Sequence, residues 1–228
     1  MDWLASQFVR QGWVDHWQAL IAGLIAILAA FIGGFFINRQ IASAHVIEKE
    51  RVERKFSAAR AILPLTLSAL SEYTQLCNSH LKTILATKEG EAIPPQAAPT
   101  KAPTFPNGII EDMRGIIEYS DRPIRTALVA LIGKLQIQMS RLTTLERHLK
   151  EGPENTRSVV VTNIEDYILD AADIYARCAA LFDFARGATD VAPGGPLRAD
   201  MHSALNQTGF WYDEFRRVHD RVDLRYER

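Results

Sequence analysis

The sequence predicts an all-α protein, with a single N-terminal transmembrane helix followed by a cytoplasmic antiparallel helical bundle. Three observations predict it. An uncharged apolar run lies near the N-terminus, apolar residues further on recur at helical spacing in several long segments, and neither strand-like alternation nor an internal repeat interrupts them. At 228 residues the chain has room for one ordinary domain plus an anchor.

From Trp17 to Asn38 there is no charged side chain, and Ala19 to Ile37 (ALIAGLIAILAAFIGGFFI) is apolar throughout. At about 1.5 Å rise per residue this run spans nearly the ~30 Å hydrocarbon core of a bilayer. A helix apolar on every side has no solvent face, which argues against a soluble core helix in a domain this small. The run exceeds the ~7 to 15 apolar residues of a signal peptide, lacks a basic region before it and a small-residue cleavage site after it, and is expected to remain as a span over 19–38.

Charge sets the expected direction. Residues 1–18 carry only Asp2, Arg10 and Asp15 as charged side chains, whereas Arg39, Lys49, Arg51, Arg54, Lys55 and Arg60 follow the span against Glu48, Glu50 and Glu53. Lys and Arg near a span stay on the cytoplasmic side, so the N-terminus is expected outside and the larger part inside. The leader 1–18 is expected along the membrane surface, because Trp rings favour the headgroup region. The expected interface residues are thus Trp3, Trp13 and Trp17 on one side and Arg39, Lys49, Arg51, Arg54 and Lys55 on the other. These bases would draw anionic headgroups at about 1 kcal/mol each, less the opposition of the interleaved glutamates. Within the span, Ala22, Ala26, Ala30 and Gly34 recur every four residues, a small-residue stripe of the kind that supports helix association in lipid.

Residues 39–63 read as a basic amphipathic stalk continuing the membrane helix, with Val52, Phe56, Ala59 and Leu63 on one side. Pro64 predicts a kink or break. The bundle is expected over 64–228. Leu67, Leu70, Thr74, Cys77, Leu81 and Ile84 mark its first helix, to about Lys88, and Pro94, Pro95, Pro99, Pro103 and Pro106 make 89–107 a long exposed loop. Ile109, Met113, Ile116 and Ile117 predict a short helix ending near Ser120. Asp121 and Pro123 then open a long helix with Ile124, Leu128, Leu131, Leu135, Gln138, Leu142, Leu145 and Leu149 at near-heptad spacing. Gln138 either fixes register or sits at a boundary with its amide in water, and is assigned no role. A helix over about Arg157 to Arg186 and a last one from about Ala199 complete the expected bundle.

Known catalytic templates fail. No His lies three residues after a Glu, HExxH is absent, and GxxxxGK, GxGxxG and GxSxG are missing, so no catalytic residue, cofactor site or metal site is expected. Cys77 and Cys178 lie far apart in apolar helical patterns and read as small buried hydrophobes in a reducing compartment. Glu165, Asp166, Asp170 and Asp173 share a helix face that reads as solvated, since one helix rarely surrounds a hard cation. Phe210, Trp211 and Tyr212 read as core aromatics with polar tips outward. Arg216, Arg217, Arg221, Arg225 and Arg228 balance Asp213, Glu214, Asp220, Asp223 and Glu227 as an exposed ion-paired surface. A formal net charge of -1 excludes a whole-molecule field for nucleic acid.

The functional expectation is a non-enzymatic, single-pass scaffold that meets membrane lipid and a protein partner or a second copy of itself. Its expected place is a bacterial inner membrane, inferred from compactness and the lack of sorting motifs. A membrane-tethered sensor, suggested by Pro64 between span and bundle, and a membrane-perturbing lysis-type protein, suggested by the Trp-rich leader, are the alternatives.

Overall fold

A computed structural model describes residues 2–94, 101–150 and 159–226, with side chains from Trp17 onward except that of Ala19. The order of elements is α1 (Asp2–Leu85), β1 (Ala92–Ile93), α2 (Ile109–Tyr119), α3 (Arg122–Lys150), β2 (Val159–Val160), α4 (Val161–Ala185), α5 (Arg198–Gln207) and α6 (Arg216–Arg225). The chain divides into two compact units, Met1–Glu53 and Arg54–Arg228.

In the first unit α1 presents Leu20, Leu24, Leu28, Phe31 and Phe35 fully to its surroundings, along with their neighbours on every side. It contains a stretch of mean hydropathy 2.7 with none of its residues buried, long and apolar enough to cross a membrane by length and composition.

In the second unit the core is built as the helical spacing predicts. The C-terminal part of α1 buries Leu63, Leu67, Leu70, Tyr73, Cys77, Leu81 and Ile84. The expected break at Pro64 does not occur, and α1 runs through it to Leu85. Proline removes one backbone donor, which leaves the Arg60 carbonyl without its usual partner. The helix continues across the missing bond, with Leu63 and Leu67 buried on either side of it. Helix α2 buries Ile109, Met113 and Ile116. The cap expected at Asp121 is present, its Oδ1 accepting from the Ile124 N–H at 3.3 Å. Helix α3 buries the predicted leucine stripe, and α4 is buried on nearly every side, with Ala171, Ala172 and Ala176 allowing α3 and α5 to approach.

Three expectations are corrected. The loop over 89–107 is not simply exposed: β1 pairs antiparallel with β2 through Ala92↔Val160 and Ile93↔Val159, and Phe105 meets Tyr73 edge-on at 5.3 Å. Its centre, 95–100, lies outside the described residues. The helix expected from Arg157 starts at Val161, because Val159 and Val160 are taken by the strand pair. The last helix is two helices, because the chain turns at Gly209, whose φ of 89° is a conformation that side chains disfavour. The two thiols are buried as expected, and burial pushes both Cys77 and Cys178 up to about 12, leaving them unreactive at neutral pH.

Candidate functional site

The interface residues fall into separate environments. The side chains of Trp3 and Trp13 lie outside the described residues, while Trp17 is exposed. Lys49 and Arg51 pair within their own helix, with Glu53 at 3.9 Å and Glu48 at 3.6 Å, and Arg39 and Arg54 are exposed. Lys55 donates to the Tyr119 hydroxyl at 2.9 Å. Ala22, Ala26, Ala30 and Gly34 share a side of α1 and are exposed, with open space where a Cβ of Gly34 would project.

Arg60, counted in the sequence among the bases after the span, is held by protein. Its guanidinium donates to the Phe184 carbonyl at 2.7 Å, to the Thr189 carbonyl at 2.6 Å and to Asp190 at 2.7 Å, and lies 4.3 Å from the Phe184 ring centre. A cation at the carbonyl end of α4 is favourably placed against the helix dipole.

The acidic face of α4 is a further correction: it is not solvated. Glu165, Asp170 and Asp173 are only 3%, 4% and 1% exposed. Each meets two cations, from two helices for Asp170 and Asp173 and from α6 alone for Glu165. Asp173 lies 2.7 Å from Lys134 and accepts from Arg177 at 2.8 Å, Asp170 pairs with Arg141 and lies 3.8 Å from Arg225, and Glu165 lies 2.9 Å from Arg217 and 3.6 Å from Arg221. Asp166 pairs with Arg221. Arg217, Arg221 and Arg225 repeat every four residues on one face of α6, in register with the carboxylates below. Arg217 and Arg225 are exposed as expected, but they reach across to α4 rather than balance the acids of their own helix; Glu227 and Arg228 of the expected surface lie outside the described residues. Burial pushes the carboxyls of Glu165 and Asp170 up, and the neighbouring arginines oppose this without reversing it.

Beside Glu165 a cleft of about 290 Å³ opens among Lys82, Lys88, Glu214, Arg216 and Arg217. Its charges are partly paired, since Lys82 lies 3.3 Å from Glu214 and donates to the Gly209 carbonyl at 3.0 Å. Of the aromatic triplet, Phe210 is buried against Phe215 at 4.7 Å, whereas Trp211 and Tyr212 are exposed, contrary to the expected core packing of all three.

Between α5 and α6 lies a polar chain that sequence reading did not single out. His219 is buried, with Nε2 2.9 Å from the Phe210 carbonyl and Nδ1 2.8 Å from Nδ1 of His202. His202 Nε2 in turn lies 2.8 Å from Asp223, which also accepts from Arg198 at 2.7 Å. The contact to His202 holds the Asp223 carboxyl below its usual range, with Arg198 adding to it. Seventeen residues separate the two histidines, so no local motif announces them. Among the described residues no group of three or more His, Cys, Asp or Glu is placed to hold a metal ion.

Comparison of the chain with protein-family models, with curated proteins and with solved structures returned no match.

Proposed function

We propose that this chain is a single-pass membrane protein whose unit Arg54–Arg228 is a non-catalytic docking body on the cytoplasmic side, recruiting a protein partner or a second copy of itself at a bacterial inner membrane. The observation that carries the reading is the apolar stretch of α1. It shows leucine, isoleucine and phenylalanine in all directions with no protein covering them. Apolar surface left in water costs about 25 cal/mol per Å², so a helix of this kind partitions into lipid. The bases after the stretch support the inward direction of the larger unit.

Two measurements test it. In membrane fractionation the full-length protein is expected to resist carbonate extraction, and recovery in the soluble fraction overturns the anchor. For orientation, the buried native thiols leave an introduced cysteine as the reporter. Ser79→Cys, at an exposed position in the larger unit, is expected to label only after the membrane is opened. Labelling by an impermeant reagent on intact cells overturns the cytoplasmic placement. Affinity capture from native membranes, with a chain lacking residues 1–38 as control, then separates partners that need the tether from those that do not.

A further inference from the structure

We propose that His202 and His219 form a binding site for one cation, a proton shared between their Nδ1 atoms, which joins α5 to α6. The inference is independent of the membrane placement.

The argument is a count of donors and acceptors. A backbone carbonyl only accepts, so the Phe210 oxygen 2.9 Å from His219 requires a proton on that Nε2. Asp223 is an ionised carboxylate that already accepts from Arg198 at 2.7 Å, so its contact with His202 at 2.8 Å requires a proton on that Nε2 as well. Two neutral imidazoles in these tautomers each present a bare lone pair at Nδ1. Yet the two Nδ1 atoms stand 2.8 Å apart, the spacing of a hydrogen bond. The rings are parallel to within 1° with centres 5.1 Å apart, which together with that contact joins them edge to edge. Moving either Nε2 proton to Nδ1 mends the middle contact and leaves a lone pair facing the Phe210 carbonyl or Asp223. Every neutral arrangement therefore contains one acceptor against acceptor, and a third proton satisfies all the contacts together. That makes His202 the imidazolium, beside the carboxylate of Asp223, and His219 the neutral acceptor.

The gap selects the proton over a metal ion. Two nitrogen–zinc bonds of about 2.0 Å at a tetrahedral angle put the nitrogens about 3.3 Å apart, which the 2.8 Å separation does not admit. The titratable groups that the pair meets, among the described residues, are Asp223 on α6, itself held by Arg198 on α5, and Tyr212 in the turn, whose ring centre is 5.3 Å from that of His219. Losing the proton breaks either the link between the rings or one of the outer bonds.

The test uses full-length protein in detergent micelles with ¹⁵N-labelled histidine. Ring-nitrogen signals are assigned with His202→Gln and His219→Gln, and independently by their response to Asp223→Asn should either glutamine variant fail to fold. At neutral pH three ring protons are expected on the two residues, both nitrogens of His202 and only Nε2 of His219. Two protons on the pair overturn the proposal. In Asp223→Asn, which keeps the shape, removes the charge and can itself donate an N–H to His202 Nε2, the third ring proton is expected to be lost. A third ring proton retained in that variant overturns it. One equivalent of zinc is expected to leave both signals unmoved, and displacement of the proton by zinc overturns the assignment to a proton.

Discussion

Gln138 shows how far a single residue departs from what its spacing announces. It occupies an apolar position of the leucine stripe in α3 and is completely buried, which removes the reading of an amide reaching water. Neither of its amide atoms has a hydrogen-bond partner among the described residues. A buried polar group without a partner costs about 1 to 3 kcal/mol, so Gln138→Leu is expected to stabilise the protein. For a domain of this size each kcal/mol raises the melting temperature by about 2 to 4 °C, and calorimetry reads the result directly. A fall in melting temperature would mean that the amide has a partner inside the bundle. The spacing located this residue correctly on the core face. It gave no account of satisfaction, because hydrogen-bond partners come from other segments of the chain.

At the scale of elements, the pairing of α4 with α3 and α6 is where sequence reading failed, and the cause is physical. Asp166, Asp170 and Asp173 lie at helical spacing beside an apolar face, and taken alone such a stripe faces water. Only the arginines at every fourth position of α6, together with Lys134 and Arg141 on α3, make it an interior surface, and no local rule pairs segments so far apart in sequence. The signal was present as two complementary charge stripes, obscured because α6 carries enough acids of its own to look self-neutralised. Removing the cations that meet Asp173 leaves a buried charge unpaired. Lys134→Met with Arg177→Met is therefore expected to cost about 3 to 5 kcal/mol in chemical denaturation. Adding Asp173→Leu is expected to restore most of it, since an apolar replacement of a complete buried ion pair is often neutral. Failure of that rescue would show that packing rather than charge carries the loss. The pH dependence has a defined sign. Glu165 and Asp170 bind their protons more tightly folded than unfolded, so their contribution to stability grows as pH falls from neutral toward the ordinary carboxylate range. Glu165→Gln with Asp170→Asn is expected to flatten the stability profile in that window, and an unchanged slope would contradict the burial of these groups.

For the whole molecule, the helical class and most helices were legible because long apolar stripes fix which face is buried. Pro64 misled because proline weighs on one turn, whereas Leu63, Leu67 and Leu70 are buried over two. The turn at Gly209 was missed because Trp211, Phe215, Val218 and Val222 keep helical steps of four and three right up to it. One property follows from where the core lies. Among the described residues, the buried hydrophobic core runs from Leu63 to Val222. On the proposed reading, the part that folds and the part that inserts are thus separable by substitution. Leu24→Arg together with Leu28→Arg would place charge in the middle of the proposed span, at about 2.5 to 3.5 kcal/mol for each residue. The variant is expected to leave the membrane fraction while its melting transition matches that of the parent in detergent. If it kept its place in the membrane, lipid would not be what receives this helix. If it lost its transition, the larger unit would depend on that stretch for its own stability, and the two roles would not be separable.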